Sequence, residues 1–179
     1  TLREDAAFHD GKSITTDDVE FTIQKIQDPL IKSPKRANWD GVVIEKINSR
    51  EIKFHLSVAY TPFLENTTIG ILPKYMWKDL TPEQFPFSLF NASPVGSGPY
   101  KFESVENDAS GLPKTYILSS FKDFALGRPF VDNISVSFYP NEDELISAFE
   151  GGQIDNVHSI TPEKLSLIKR ADKSIKTSP

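Results

Sequence analysis

The chain has 179 residues, enough for one ordinary domain with a core of its own. Hydrophobic residues make up 38% and charged residues 25%, as in a globular protein, and the formal net charge of −5 argues against a nucleic-acid partner, which needs a clustered basic surface. The absence of cysteine excludes disulfides, thiolate metal sites and a cysteine nucleophile. No apolar run approaches the roughly 18 residues that a membrane-spanning helix needs.

The first clear element is an amphipathic helix, predicted over residues 16–27. Thr15 and Asp18 form a capping-box-like pair at its start, because their side-chain oxygens can accept hydrogen bonds from the unpaired amides of the first turn. Val19 and Ile23 recur at helical spacing further along. We therefore expect one face of this helix to pack on a core.

A β-hairpin is predicted over residues 42–56, where apolar and polar residues alternate on either side of a polar turn at 48–50. Pro62 and Pro73 each stand near the start of a short helical segment, a position that tolerates the missing amide of proline. Residues 81–100 contain four prolines and two glycines, which predicts more loop than regular structure.

The second half of the chain predicts three strands, two helices and one further short strand. The strand candidates are residues 100–106, 115–121 and 134–140. A helix over about 142–150 follows with Asn141 as its N-cap, and a short strand at 154–157 would complete a strand–helix–strand unit with parallel pairing. A last helix is predicted from Thr161 to Arg170, with its basic end suited to the helix dipole.

His9 and Asp10 stand side by side before Gly11, in a stretch that resembles a catalytic or metal-binding cluster. Neighbours on an extended chain point to opposite sides, so these two side chains do not easily share one metal ion or one proton. The other histidines, His55 and His158, lie far away in the sequence and have no metal-ligand spacing. We expect a turn here, in which Asp10 accepts hydrogen bonds from nearby amides and Gly11 takes a positive φ. No cofactor and no metal site are predicted.

Gly96 and Gly98 flank Ser97 in the stretch "VGSGPY". A nucleophile elbow needs G-x-S-x-G between a strand and a helix, and a phosphate-binding loop needs a lysine and a following helix. Neither pattern is present. These glycines are expected to allow a close approach of the backbone to a neighbour, with Pro99 stiffening the exit.

Position along the chain selects a first group of candidate ligand contacts. Ligands of open α/β sheets bind outside the carboxyl ends of the strands, and this rule selects Asn156, His158 and Ser159 after the strand predicted at 154–157. Trp39 lies in a less regular segment and belongs either to the core or to a cleft.

Four stretches, in order along nearly the whole chain, carry a resemblance to a known family. They are "LREDAAFHDGKSITTDDVEFTI", the segment from "NWDGVVIEKINSREIKFHLS" to "ILPKYMW", "PVGSGPYKFESV" and "GRPFVDNISVSFYPNEDELISAFEGGQIDN". The sequence resembles the family 5 extracellular solute-binding proteins of ABC importers, which include dipeptide-, oligopeptide- and nickel-binding proteins. Ser97 departs from the threonine that the family usually has between the two glycines.

The resemblance implies an α/β (mixed α+β) fold, a periplasmic-binding-protein-like lobe in which helices flank a mixed β-sheet. Family members have two lobes that close on a ligand, so residues 1–179 are expected to form a single partial domain, part of lobe one, excised from a longer chain that also has N-terminal strands and a second lobe. Asn66 and Thr67 are implied to border the ligand. Tyr100 and Trp39 complete the candidate set.

The function implied by the resemblance is that of a monomeric, non-enzymatic receptor. It would capture a small solute, a di- or oligopeptide in the first place and a nickel chelate or sugar as other ligand classes, and deliver it to a membrane permease. The full-length protein would be periplasmic or extracellular, anchored as a lipoprotein. Two alternatives remain: a hydrolase in which His9 or His158 works with a nearby carboxylate, and a stand-alone interaction module with an exposed apolar patch.

Overall fold

The computed structural model of the chain describes residues 1–158, 160–165 and 168. The chain divides into two compact units. Unit 1 comprises residues 1–105 and 116–135, and unit 2 comprises residues 106–115 and 136–179, of which the described part is considered below.

Helix α1 spans Thr16–Gln27, as predicted, and begins at a buried carboxylate. Asp18 is 6% exposed, and its Oδ2 accepts hydrogen bonds of 3.0 Å from both the amide and the hydroxyl of Thr15. Its Oδ1 accepts a bond of 2.9 Å from the amide of Lys74, the first residue of a later helix, α4 (Lys74–Trp77). One side chain thus organises the first turns of two helices that are distant in sequence.

The predicted hairpin is present and antiparallel. Strand β1 (Val43–Lys46) pairs with β2 (Ile52–His55) in a register that places Val43 opposite His55 and Lys46 opposite Ile52. Asn48 closes the turn, because its side-chain oxygen accepts hydrogen bonds from the amides of Arg50 at 2.9 Å and Glu51 at 3.0 Å.

The core of unit 1 is built around Trp39, which ends the short helix α2 (Arg36–Trp39) and is 1% exposed. Its ring makes edge contacts with Phe54 of the hairpin, at 5.6 Å between centroids, and with Phe63 of helix α3 (Phe63–Asn66), at 5.3 Å. The buried face of α1 packs on the same cluster through Val19 and Ile23. Helix α1, the hairpin and α3 therefore share one hydrophobic core.

A second cluster in unit 1 gathers around Trp77 of α4. Trp77 contacts Phe85 at 4.8 Å and Phe90 at 5.4 Å between ring centroids, and Phe21 of α1 belongs to the same cluster. Phe85 and Phe90 lie in two short 3-10 turns, Phe85–Phe87 and Leu89–Asn91, within the segment predicted to be mostly loop. Aromatic packing accounts for the order of this proline-rich stretch.

The later strands form a three-stranded sheet in the order β3-β4-β5. They are β3 (Tyr100–Asn107), β4 (Pro113–Ser120) and β5 (Asn133–Ser137), which agree with the three predicted segments. The amide of Ser120 bonds to the carbonyl of Asp132, and the amide of Phe138 to that of Lys114. Because the partners run in opposite directions along the chain, β4 and β5 are antiparallel.

Unit 2 contains helix α5 (Glu142–Glu150), which begins and ends as predicted. The side chain of Asn141 caps it by accepting a 3.0 Å hydrogen bond from the amide of Glu144. Helix α6 (Pro162–Leu165) begins after Thr161, whose hydroxyl bonds to Glu142 at 3.0 Å. The predicted end of the last helix, at Lys169 and Arg170, lies outside the described residues.

The short strand predicted at 154–157 is wrong, and with it the parallel strand–helix–strand unit. After α5 the chain remains folded against the end of the helix, because the amide of Gly152 bonds to Phe149 and that of Gln153 to Ala148. Four residues, two of them polar, then remain before His158, and they are irregular. The fold-class prediction itself, a mixture of helices and sheet, is confirmed.

Candidate functional site

A pocket of about 280 Å³ opens on unit 1, where α2, the end of β2 and α3 meet. The polar and aromatic residues that line it include Asn38, Asp40, Ser57, Tyr60 and Asn66. Its volume is at the lower end of the range for small-molecule pockets, enough for one amino-acid side chain or a comparable group.

Two asparagine side chains form one wall of the pocket. Nδ2 of Asn38 donates to Oδ1 of Asn66 at 3.1 Å, and Nδ2 of Asn66 donates to the backbone carbonyl of Asn38 at 3.3 Å. The pair links α2 to the end of α3, so both amides have a set orientation before any ligand arrives. Asn66, predicted from the resemblance, is thereby placed in the wall of a concave site.

The rest of the lining combines polar residues, Asp40 and Ser57, with apolar and aromatic ones. Tyr60 is 54% exposed, whereas Phe63 is half-buried against Trp39. Gly41 also lines the pocket, with a φ of 70° that favours glycine. The amide groups, the Asp40 carboxylate and the rings of this lining can bind a ligand by hydrogen bonds and ring contacts.

The remaining predicted contacts in unit 1 lie in three different surroundings. Thr67 is exposed after α3, and its hydroxyl donates to the carbonyl of Leu64 at 2.6 Å. Tyr100 is half-buried at the start of β3. Trp39, for which core and cleft were both open, is a core residue. None of these three lines the pocket around Asn66.

Asn156 and His158 belong to unit 2, where both are exposed, and Ser159 lies outside the described residues. The strand that selected these three residues is not formed. Ligand contact at these positions stays a prediction.

The structure brings together two of the sequence motifs, at His9 and at Gly96–Gly98. The His9 amide donates to the carbonyl of Gly96 at 2.8 Å, and the imidazole contacts the Gly96 amide through Nδ1 at 3.2 Å and the Gly98 carbonyl through Nε2 at 3.1 Å. A Cβ on Gly96 would lie 3.4 Å from Cε1 of His9, so the close approach predicted for this glycine is confirmed. Sequence reasoning did not find the partner, which is 87 residues away.

The turn predicted after His9 is also confirmed. Asp10 accepts a hydrogen bond from the Lys12 amide at 3.2 Å, and Gly11 has a φ of 85°. The Asp10 carboxylate also bonds to Lys12 Nζ at 3.0 Å and to the Tyr75 hydroxyl at 2.5 Å. These contacts give Asp10 a structural role that fastens the turn to α4.

A histidine–carboxylate pair, His55 with Glu45 at 2.7 Å, lies on the hairpin. Both side chains are about half exposed, and neither lines the pocket. Among residues 1–158, 160–165 and 168, no group of three or more histidines and carboxylates is arranged to hold a metal ion. No helix in this part of the chain is long and apolar enough to cross a membrane.

Comparison with known proteins gives one consistent result. A family model described as bacterial extracellular solute-binding proteins, family 5 Middle, matches residues 1–179. The oligopeptide-binding protein AppA of Bacillus subtilis is 28% identical over 178 residues, which cover 94% of this chain and 32% of AppA.

Solved structures agree in fold. The ABC transporter substrate-binding protein CtaP of Listeria monocytogenes is similar with a TM-score of 0.78 and 30% identity, covering 94% of this chain and 34% of CtaP. NikZ of Campylobacter jejuni in complex with Ni(L-His) has a TM-score of 0.75 and 27% identity, over 86% of this chain and 30% of NikZ. The chain thus spans about a third of the length of the proteins that it matches.

Proposed function

Because the chain belongs to family 5 of the bacterial extracellular solute-binding proteins, we propose that the protein is the substrate-binding component of an ABC importer. It captures a small solute and delivers it to a membrane permease. The observation that carries the proposal is the family match over the whole of residues 1–179. The protein acts outside the cytoplasmic membrane, periplasmic or extracellular and anchored as a lipoprotein, and it has no enzymatic activity.

The solute class that the relatives support is a di- or oligopeptide. AppA of Bacillus subtilis is named an oligopeptide-binding protein, and its structure in complex with a nonapeptide has a TM-score of 0.73 and 26% identity with this chain, over 83% of this chain and 29% of AppA. NikZ is the counterexample, since its structure holds Ni(L-His). A peptide backbone presents amide donors and carbonyl acceptors, which asparagine side chains can pair with.

Residues 1–179 form part of lobe one, and the ligand is held between this lobe and a second one. Closure is a hinge motion, in which contacts from both lobes shift the balance between open and closed forms. A lobe by itself supplies only part of those contacts.

The pocket on unit 1 contributes one group of ligand contacts in this proposal. The amides of Asn38 and Asn66 are already oriented by their mutual hydrogen bonds, which lowers the entropic cost of using them for a ligand. Tyr60 adds an exposed ring that can cover an apolar or cationic side chain.

The test of the function uses the intact protein, stripped of co-purified solute by unfolding and refolding. Calorimetric titration with defined di-, tri- and nonapeptides, with a nickel–histidine complex and with a short oligosaccharide identifies the class. We expect binding of at least one peptide with a Kd at or below about 1 μM, which corresponds to about 8 kcal/mol. Binding of the nickel complex alone would overturn the peptide assignment, and an absence of all binding would overturn the receptor function.

The contribution of the pocket is tested separately by Tyr60→Ala. We expect a loss of peptide affinity of about tenfold, because the ring lines the pocket without belonging to the buried core. Phe87→Ala is the matched control, since Phe87 is an 87% exposed aromatic residue of the same unit that does not line the pocket. Equal affinities for the two variants and the unmodified protein would exclude the pocket and leave the receptor function intact.

The second group of predicted contacts is tested by the double variant His158→Ala, Ser159→Ala. Unchanged peptide affinity in this variant would remove these two residues from the site.

A further inference from the structure

His9 directs its backbone amide and both ring nitrogens to one short segment, residues 96–98. Its backbone amide donates to the Gly96 carbonyl, at 2.8 Å, its Nδ1 lies 3.2 Å from the Gly96 amide nitrogen, and its Nε2 lies 3.1 Å from the Gly98 carbonyl oxygen. The imidazole is therefore inserted between a donor and an acceptor whose roles are fixed by the backbone.

These fixed roles determine the protonation state of the ring. The Gly96 amide can only donate, so Nδ1 must carry a lone pair, and the Gly98 carbonyl can only accept, so Nε2 must carry the hydrogen. Only the neutral imidazole with its proton on Nε2 satisfies both contacts. In the imidazolium ion, Nδ1–H would face the Gly96 N–H, two donors 3.2 Å apart.

The surroundings of the ring support the same state. His9 is half-buried, with 5.1 Å between the centroids of its ring and the Phe121 ring, and the amide of Phe121 bonds to the carbonyl of Pro99, which follows the segment. Burial is the largest cause of a lowered His9 pKa, and the charge of Lys101 on β3 lowers it further. The hydrogen bond to Gly98 and the carboxylate of Asp10, on the turn that carries His9, act in the opposite direction.

We propose that His9 is a pH-sensitive latch, defined here as the contacts of His9 with Gly96 and Gly98. The neutral ring fastens the glycine segment to the turn at residues 8–11, and protonation at Nδ1 releases it. This property is independent of which solute the protein binds. The released segment leads directly into β3, which begins at Tyr100.

The direction of the pH dependence follows from linkage. A histidine has an ordinary pKa near 6.5, which applies to the released state, while the latched state has a lower pKa. Protons therefore bind preferentially to the released state, so the latch contributes fully above about pH 6.5 and its contribution is lost as the pH falls through the lowered pKa.

The experiment is nuclear magnetic resonance of the intact protein labelled with ¹⁵N at histidine and glycine. His9→Gln identifies the signals of the latch. We expect the His9 ring to be neutral at pH 8 with its proton on Nε2. On acidification, protonation of the ring and a loss of hydrogen-exchange protection at the Gly96 amide should occur over the same pH range. The protection factor at Gly96 should fall by about threefold to tenfold, which is the effect expected from losing one or two hydrogen bonds.

The variants make the cause specific. His9→Gln offers an amide that can occupy the same contacts without titrating, so the protection factor at Gly96 should no longer depend on pH. His55→Gln is the matched control, because His55 lies exposed on β2 and bonds to Glu45; it should leave the pH profile at Gly96 unchanged. The latch is overturned by a neutral ring with its proton on Nδ1, by ring titration without a change at Gly96, or by a His9→Gln protein that keeps the original pH profile.

Discussion

Buried apolar side chains of unit 1 form two clusters, whereas those of the described part of unit 2 are two neighbouring residues of α5. Of the twelve buried hydrophobic residues in the described part of the chain, ten lie in unit 1, and the remaining two, Ala148 and Phe149, lie in unit 2. Unit 1 therefore has a hydrophobic core of its own, whereas the described part of unit 2 has several polar contacts at the start of α5.

The polar contacts of unit 2 gather at the start of α5. Asn141 caps α5, and Thr161 bonds to Glu142 at the same end of that helix. Lys164 pairs with Asp143 at 2.6 Å, but Asp143 is 81% exposed, so solvent screening leaves this ion pair little net effect. Elements held mainly by caps and exposed polar contacts open at a lower free-energy cost than elements packed on a core. Four substitutions test the contrast.

The largest effect is expected for Trp39→Ala in unit 1. Trp39 is 1% exposed and packs against Phe54 and Phe63, so its removal leaves a large cavity and should lower the free energy of unfolding by about 3–5 kcal/mol. Urea unfolding followed by circular dichroism measures the loss. Trp39→Phe should cost less, because it keeps a ring and removes an indole N–H that has no hydrogen-bond partner in the described structure. A loss below about 1 kcal/mol for Trp39→Ala would contradict a core centred on this residue.

The second effect concerns the buried polar contact of unit 1. Asp18→Ala leaves the amides of Thr15 and Lys74 without their acceptor and should lower stability by about 2–3 kcal/mol in the same urea measurement. Asp17→Ala is the control: Asp17 is 56% exposed and pairs with Lys46, so its loss should stay within about 1 kcal/mol. If Asp18→Ala and Asp17→Ala lower the free energy of unfolding equally, burial of the carboxylate does not determine how much it stabilises the protein.

A smaller and local effect is expected for Asn141→Ala in unit 2. Loss of the cap on α5 should cost about 1 kcal/mol. Hydrogen exchange should show this as faster exchange of the α5 amides, with little change in α1. Exchange that becomes faster to the same extent in α1 and α5 would show that the two units do not open separately.

The smallest effect is expected for Leu112→Ser in unit 2. Leu112 is 63% exposed, and substitutions at such positions change stability by about 0.5 kcal/mol or less. The unfolding midpoint of the intact protein measures it. A loss of about 2 kcal/mol or more, a scale set by burial of a leucine side chain, would mean that other residues of the intact protein cover this side chain.

The sequence predicted best where local chemistry decides the structure. Thr15 with Asp18 and Asn141 mark the starts of α1 and α5, because the unpaired amides of a helix start need acceptors that are close in sequence. The strand at 154–157 was predicted as the last part of a strand–helix–strand unit, and it is not formed. A strand needs a neighbour to pair with, which no local pattern guarantees.

The candidate site was predictable only in part, for the same reason. Asn66, which lines the pocket, was selected through a family resemblance, but its hydrogen-bond partner Asn38 is 28 residues away and carries no signal of its own. The contact of His9 with Gly96 likewise joins residues 87 positions apart. Glycine at 96 indicated that something approaches closely, and only the structure identifies the imidazole. Contacts of this kind arise from tertiary packing and leave no periodic trace in the sequence.

The hydrogen bond between Asp18 and the Lys74 amide also has a consequence for folding during synthesis. Oδ1 of Asp18 accepts from the amide of Lys74, 56 residues further along the chain. At a ribosomal rate of about 5–20 residues per second, the carboxylate waits roughly 3–11 s for that partner to be made. Until then, α1 can complete only its local contacts with Thr15. Helix α1 therefore reaches its final stability only after α4 has been translated.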